Sequence, residues 1–379
     1  MTRFGYLSTY PPTRCGLATF TEALASTIAA VEDDESIIVR VDDLVPAGPS
    51  LPGPGLRIGS VLRPDDDASR ARAADMLDAS DVVIVQHEYG IYGGPDGDEI
   101  LDVLARLRRP SIVVMHTVLA TPTPHQREVT AGIAALAGAV VAMTATAFAL
   151  LADEYAVPPA KLHLIPHGVG PWASATAVRE SPRPVILTWG LIGPGKGIEW
   201  GIRALAELGD LTPAPLYRVL GQTHPKVVLE EGQRYRRSLL ALVDELALAD
   251  DVEIDGRYRE TAELAAEVAA ADIVLLPYDS REQATSGVLA EAAAAGKLVI
   301  ATRFPHAIEV LAGGGGMLVD HQRPDQIAAA IRTVLRDPRH ALAAAARALE
   351  SARANSWETV AERYRELAAE LAVVDRVPR

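Results

Sequence analysis

A chain of 379 residues exceeds what one hydrophobic core usually serves, so two domains of ordinary size are expected. Hydrophobic residues at 49% and charged residues at 23% exclude global disorder, and a net charge of −14 argues against nucleic acid as a main partner. The single cysteine, Cys15, excludes an internal disulfide and a multi-cysteine metal site. The opening MTRFGYLSTYPP lacks the apolar core of a signal peptide, and no window reaches the ~18 to 20 apolar residues of a membrane span, so a soluble cytoplasmic protein is expected.

Arg3 to Ser8 reads as a first strand, the Pro- and Gly-rich Tyr10 to Gly16 as a loop, and Leu17 to Ala30 as a helix. Ser36 to Val41 is a second strand. Pro46 to Asp67 carries Pro, Gly and Asp without apolar periodicity and reads as a long surface loop, with Asp65, Asp66 and Asp67 as a solvated turn. Asp81 to Gln86 is a buried strand with His87, Glu88 and Tyr89 at its carboxyl end, ahead of the glycine-rich GIYGGPDG. Ser111 to Met115 repeats the pattern with His116 and Thr117 after it. Ala139 to Met143 and Lys161 to Ile165 add two strands, the second ending in Pro166, His167 and Gly168. Six strands alternating with helices imply a parallel sheet covered on both faces.

Gly170 to Pro184 has linker composition, after which the alternation restarts. The second set of strands is Val185 to Trp189, Tyr217 to Leu220, Val252 to Ile254, Ile273 to Leu276, Leu298 to Ala301 and Met317 to Val319. The expected division is therefore 1–170, a linker 171–184, a second α/β domain 185–355 and a final helix 356–379 that packs back on the first domain. Such a pair implies a cleft between the carboxyl edges. Ala271 to Thr302 packs strand, polar loop, helix and strand into one segment, with Ser286, Gly287 and Val288 opening the helix. A helix N-terminus at the carboxyl end of a parallel strand favours phosphate, so a phosphorylated ligand is expected there.

Gly190 to Gly197, GLIGPGKG, satisfies the G-x-x-x-x-G-K part of a nucleoside-triphosphatase loop. Gly197 stands where Ser or Thr would ligate magnesium, and no strand offers the second carboxylate, so that reading fails. Two readings remain: a glycine loop with a lysine suited to a diphosphate, and a tight turn bearing a surface lysine. No G-x-G-x-x-G follows the first strand, which argues against a dinucleotide-dependent dehydrogenase. His87, His116 and His167 each lie just beyond a strand of the first domain. Taken singly each is a hydrogen-bonded loop histidine, but three at one edge point to a site. Zinc is not expected, because no thiol cluster or H-E-x-x-H accompanies them.

Gly190 to Gly197, Ile165-Pro166-His167-Gly168-Val169 and Gln283 to Gly296 resemble the motifs of family 4 glycosyltransferases, which have the two-domain GT-B fold. QHEYGIYGG (Gln86 to Gly94), HTVL (His116 to Leu119), GQTHP (Gly221 to Pro225) and EGQRYR (Glu231 to Arg236) are similar to a bacterial subgroup. The resemblance implies two Rossmann-like doubly wound domains and retaining transfer of a hexose from a nucleotide sugar, such as GDP-mannose or UDP-glucose, to a carbohydrate or other hydroxyl acceptor. It implies no metal and no further cofactor. It leaves a peripheral membrane contact and the oligomeric state open.

By position, the resemblance gives Lys196, with Gly195, the donor diphosphate, together with the amides around Ser286, Gly287 and Val288. Glu291 takes the ribose hydroxyls, since one carboxylate accepts two hydrogen bonds. His116 lies beside the transferred sugar, and Gly16 matches a glycine that approaches donor phosphate and acceptor. His87, Glu88, His167 and Arg14 are candidate acceptor or sugar contacts. Two departures stand out. Gln283 occupies the place of the first acid in E-x7-E, with Glu282 beside it as a substitute, and Leu191 occupies the place of an arginine. Arg218, Arg257, His224 and Lys226 are the candidates to replace that charge. A nucleotide-sugar 2-epimerase of the same fold and a non-catalytic nucleotide-sugar binder are the competing readings.

Overall fold

The computed structural model describes residues 2–31, 36–42, 52–172 and 182–375. The chain divides into two compact units, Met1–Gly168 with Trp357–Arg379, and Val169–Ser356. The expected linker thus lies largely outside the described residues. Among those residues no helix is long and apolar enough to cross a membrane.

The first unit runs β1 (Phe4–Ser8), α1 (Gly16–Ala29), β2 (Ser36–Val41), β3 (Leu56–Leu62), α2 (Asp67–Leu77), β4 (Val82–His87), α3 (Glu99–Arg106), β5 (Ser111–Met115), α4 (Pro124–Leu136), β6 (Ala139–Ala142), α5 (Ala145–Asp153) and β7 (Leu162–Leu164). Its seven strands are ordered β3-β2-β1-β4-β5-β6-β7, and each neighbouring pair is parallel. The order reverses between β1 and β4, which places the loops after these two strands at the switch point where open parallel sheets bind ligands. The C-terminal helix Trp357–Asp375 completes this unit, setting Val360, Ala361, Tyr364, Leu367 and Ala368 into one core with Tyr6, Phe20, Leu24 and Ile84.

The expected surface loop over Pro46 to Asp67 is corrected: Leu56–Leu62 is the edge strand β3, paired to β2 with an irregularity between Ile38 and Val39. Two features hid it. Its outer residues are partly exposed, which erases apolar periodicity, and Gly59 looks like a turn signal. Gly59 is there because a β-carbon would stand 2.8 Å from Met76 Cγ and 2.9 Å from Ile37 Cγ2. Asp66 is the N-cap of α2, accepting from the Ser69 amide at 2.9 Å, and Asp67 pairs with Arg106. Both carboxylates have local structural work.

The second unit runs β8 (Val185–Trp189), α6 (Ile198–Ala206), β9 (Leu216–Leu220), α7 (Pro225–Glu231), α8 (Arg234–Glu245), β10 (Val252–Asp255), α9 (Thr261–Ala270), β11 (Ile273–Leu276), α10 (Gly287–Ala294), β12 (Leu298–Thr302), α11 (Pro305–Leu311), β13 (Gly316–Val319), α12 (Pro324–Arg336) and α13 (Pro338–Arg353). The helix Trp357–Asp375 is then α14. The sheet order is β10-β9-β8-β11-β12-β13, again parallel. Alternate residues of each central strand feed two different cores. Ile186, Ile273 and Leu275 pack with α6, α8 and α12, while Leu187, Val274 and Leu276 pack with α10 and α13. A strand buried on both faces is mostly apolar, which is why β11 reads as an unbroken apolar run and β8 as one interrupted only by Thr188, whose hydroxyl is hydrogen-bonded to Leu275 O. The switch point falls between β8 and β11, so the lysine loop and the loop before α10 emerge side by side.

Candidate functional site

In the second unit the lysine loop leaves β8 and turns back on itself through Lys196 N–H donating to Gly193 O at 3.2 Å. The Asp279 amide donates to Gly195 O at 2.9 Å, which ties this loop to the segment after β11. Gly197 sits at φ +62, and a β-carbon there would lie 1.9 Å from the Pro277 carbonyl oxygen. A Ser or Thr at this position is sterically barred, which gives the physical reason why the motif departs from a triphosphatase loop. The Lys196 ammonium stands 4.3 Å from the centre of the Tyr278 ring. That ring is stacked on Phe304, and Tyr278 O accepts from Thr302 Oγ1 at 2.7 Å, so the lysine rests on a fixed aromatic face.

α10 begins at Ser286, whose hydroxyl accepts from the Leu289 amide at 3.3 Å. The Ser286 amide itself donates to His306 Nδ1 at 2.8 Å. That amide is therefore committed, which corrects the expectation of three amides for the diphosphate: Gly287 and Val288 remain as first-turn donors. A β-carbon at Gly190 would be 3.6 Å from Val288 Cγ2, so the lysine loop starts against this first turn. One turn on, burial pushes the Glu291 carboxyl up to about 7, opposed by a hydrogen bond from Trp189 at the end of β8. Lys196, Gly195, Gly287, Val288 and Glu291 thus belong to one neighbourhood. Gln283 is half-buried, and its Nε2 donates to Thr285 O at 2.5 Å. A glutamate there would face a carbonyl oxygen with a carboxylate, so the loop geometry itself uses the amide. Glu282 is half-buried beside it.

The four cations proposed for the missing arginine are separated by the structure. Arg218 is bound to Glu253 and Glu267, and Arg257 to Asp255 at 3.0 Å. Both are engaged in carboxylate networks that also hold the buried Arg259. His224 and Lys226 lie in the GQTHP loop and the first turn of α7, which run alongside the lysine loop.

In the first unit the ring of His116 donates from Nε2 to Gln86 Oε1, 2.7 Å away; with the amide oxygen facing it, Nε2 carries the proton and Nδ1 is the acceptor. Burial, followed by the neighbouring His167 and His87, holds His116 down to about 3, so it is neutral at physiological pH. His167 Nδ1 bonds Gly168 O at 2.7 Å. The Phe20 ring meets His116, His167 and Trp357 edge-on at 4.9, 5.0 and 5.0 Å between centres. Gly168 has no room for a side chain, because a β-carbon would fall 2.2 Å from Trp357 Cε3. The Pro-His-Gly motif therefore seats α14 as well as presenting a histidine.

His87 is 0% exposed, packed between Tyr89 and Tyr92, with neither ring nitrogen hydrogen-bonded. It does not reach a ligand from there, which corrects its place among the acceptor contacts. Glu88 Oε2 accepts from the Gly90 amide at 2.9 Å and shapes the loop. Arg14 and Gly16 are exposed at the start of α1, and a β-carbon at Gly16 would meet nothing within 4 Å. Cys15 caps that helix, its sulfur accepting from the Ala18 amide at 3.4 Å. Among the described residues, no three His, Cys, Asp or Glu side chains form a metal-ligand group.

Sequence reasoning missed Gln86, Trp189, Tyr278 and His306. Each lies at or just beyond the carboxyl end of a strand, and that position was the available signal.

Residues 183–337 match the family model described as glycosyl transferases group 1. The D-inositol 3-phosphate glycosyltransferase of Segniliparus rotundus is 28% identical over 278 residues, 68% of this chain and 60% of that protein. The GDP-mannose-dependent alpha-(1-6)-phosphatidylinositol monomannoside mannosyltransferase of Mycolicibacterium smegmatis is 32% identical over 227 residues, 55% of this chain and 56% of that protein. The chain thus spans less than two thirds of the length of these curated relatives. The crystal structure of Anabaena HepE in complex with UDP has a TM-score of 0.74 at 18% identity, covering 98% of this chain and 100% of that one. That likeness establishes the fold as GT-B.

Proposed function

We propose that the protein is a retaining glycosyltransferase that moves a hexose from a nucleoside-diphosphate sugar to a hydroxyl acceptor, without a metal ion or a further cofactor. The observation that carries this reading is the neighbourhood of Lys196, the first turn of α10 and Glu291, at the switch point of the unit that the family model matches. A cation and two unpaired amides suit a diphosphate, and a half-buried carboxylate one turn deeper suits a vicinal diol such as ribose.

In the proposed reaction the bond between the anomeric carbon and the diphosphate oxygen breaks, and the acceptor hydroxyl oxygen bonds that carbon on the same face. The acceptor proton passes to the departing diphosphate oxygen. Negative charge grows on the leaving group, so Lys196 and the amides of Gly287 and Val288 lower the barrier by meeting that charge in a fixed geometry. His116, neutral and with Nδ1 left to accept, takes a hydroxyl of the transferred sugar; Gln86 holds its ring. No protein base is required, which fits an amide at Gln283. Glu88, His167 and Arg14 stay candidates for sugar or acceptor contacts.

The donors to test first are GDP-mannose, named for the Mycolicibacterium smegmatis relative, and UDP-glucose, bound in a further crystal structure of Anabaena HepE. UDP, GDP and ADP are screened by thermal shift, since a ligand bound to the folded state raises stability. Lys196→Ala and Glu291→Ala are then assayed for transfer to an added acceptor; activity within about twofold of the parent in both variants refutes the assigned site.

A further inference from the structure

Three consecutive residues after β11 make a bed for the lysine of the glycine loop. Pro277 O fills the space beside Gly197, where a β-carbon would stand 1.9 Å away. The Asp279 amide donates to Gly195 O at 2.9 Å. The backbone on both sides of Lys196 is thereby held, at glycines with φ +86 and +62. Between these two contacts the Tyr278 ring presents its face to the Lys196 ammonium, 4.3 Å from the ring centre.

The ring is fixed more firmly than the lysine it carries. Tyr278 is 1% exposed and stacks on Phe304 with 5.2 Å between centres and 22° between planes. Its carbonyl oxygen accepts twice, from Thr302 Oγ1 at 2.7 Å and from His321 Nδ1 at 2.8 Å. The hydroxyl, by contrast, is buried without a hydrogen-bond partner among the described residues. What the site uses is the ring face, not the phenol oxygen.

The adjacent carboxylate is engaged elsewhere. Asp279 accepts from Trp200 Nε1 with both oxygens, at 3.1 and 3.0 Å, and among the described residues Lys196 has no ion pair. A carboxylate would hold the ammonium by neutralising it and would then compete with an incoming phosphate. An aromatic face holds it through the ring quadrupole and leaves its full charge. A lysine with no support brings a flexible four-carbon stem, whose freedom is lost only when the ligand arrives. With three donors, an ammonium can keep the ring on one side and meet phosphate oxygens on the other.

We propose that Tyr278 is a positioning residue for Lys196, holding the ammonium unneutralised at the carboxyl edge of β8 and β11 so that the diphosphate meets a charge already in place. The proposal rests on the nucleotide-sugar reading and adds to it a residue that acts only through the lysine.

The test changes the ring face and not its bulk. UDP, GDP and ADP are titrated calorimetrically into the full chain, and the diphosphate that binds best is carried forward. Tyr278→Phe, which keeps the ring and removes only the unpartnered hydroxyl, is the reference; trifluorophenylalanine incorporated at the same position withdraws electron density from the face at nearly constant volume. The trifluoro protein should bind the diphosphate about fivefold more weakly than the reference, as weakening of one cation-to-ring contact predicts. With Lys196→Ala added to both, the two should bind alike within about twofold, because the ring then has no ammonium to hold. Equal affinities with Lys196 present, tighter binding on fluorination, or the same fluorine effect without Lys196 overturns the proposal and leaves the glycosyltransferase reading intact. A parent protein that binds none of the three diphosphates, or whose affinity stays within about twofold on Lys196→Ala, overturns both.

Discussion

Glu291→Gln should stabilise the second unit while damaging its function. The carboxyl is raised from 4.5 to about 7 chiefly by burial. Between these values the folded protein keeps a proton that the unfolded chain has released, so stability falls as pH rises from about 4.5 to 7 and the full penalty is present above pH 7. At 1.36 kcal/mol per pH unit that penalty is about 3 kcal/mol at most, and water reaching a half-buried group reduces it to ~1–3 kcal/mol. Glutamine has the shape of the protonated acid and cannot ionise. At pH 8 the variant should therefore unfold about 3–8 °C higher than the parent, and at pH 4.5 the two should coincide. Tryptophan fluorescence reports this, because Trp172, Trp189 and Trp200 lie in the second unit and Trp357 in the first. UDP or GDP affinity should meanwhile drop about tenfold, since a neutral amide is the poorer acceptor for a diol. In the parent, nucleotide affinity should rise between pH 6 and 8 as Glu291 ionises. A variant that unfolds earlier at pH 8, or a difference from the parent that does not vary with pH, would show that the carboxylate is not desolvated.

Gly197→Ser adds a left-handed backbone penalty to the 1.9 Å clash with Pro277 O; it should cost at least ~2 kcal/mol in urea unfolding and confer no magnesium-dependent ATP hydrolysis. Gln86→Leu removes the partner of His116 Nε2 and should lower kcat about tenfold with KM little changed, whereas an equal rise in KM would mean that the ring mainly binds substrate. Gln283→Glu should destabilise the loop before α10 by ~1–3 kcal/mol at pH 7 and recover at pH 4, as measured by hydrogen exchange; faster turnover in this variant would instead reveal a need for a carboxylate. Prolonged dialysis against EDTA should leave transfer unchanged, and loss restored by magnesium or manganese would replace the lysine-and-amide account with a metal-assisted one.

The buried strands were legible because a strand covered on both faces is mostly apolar and admits a polar residue only with a partner, as Thr188 and Thr302 have: β8, β11 and β12 announce themselves. β3 did not, because an edge strand has one neighbour, a partly exposed outer side and, here, a packing glycine in its middle. The site was legible where chemistry demands a residue type at a fixed spacing, as in Lys196 and the helix opening at Ser286. It was illegible where side chains from distant strands meet. Nothing local to Ser286 says that His306 occupies its amide, and nothing local to His116 says that Gln86 holds its ring.

The C-terminal helix that closes the first core also sets the order in which the protein can be finished. Phe20, Leu24 and Tyr6 emerge from the ribosome early, but Val360, Tyr364 and Leu367, which share their core, come last, after the whole contiguous second unit. At ordinary rates of synthesis the wait is about ten to forty seconds. The contiguous second unit has all its core residues before α14 is made, whereas the core around Phe20 is complete only with the face of α14 that covers it.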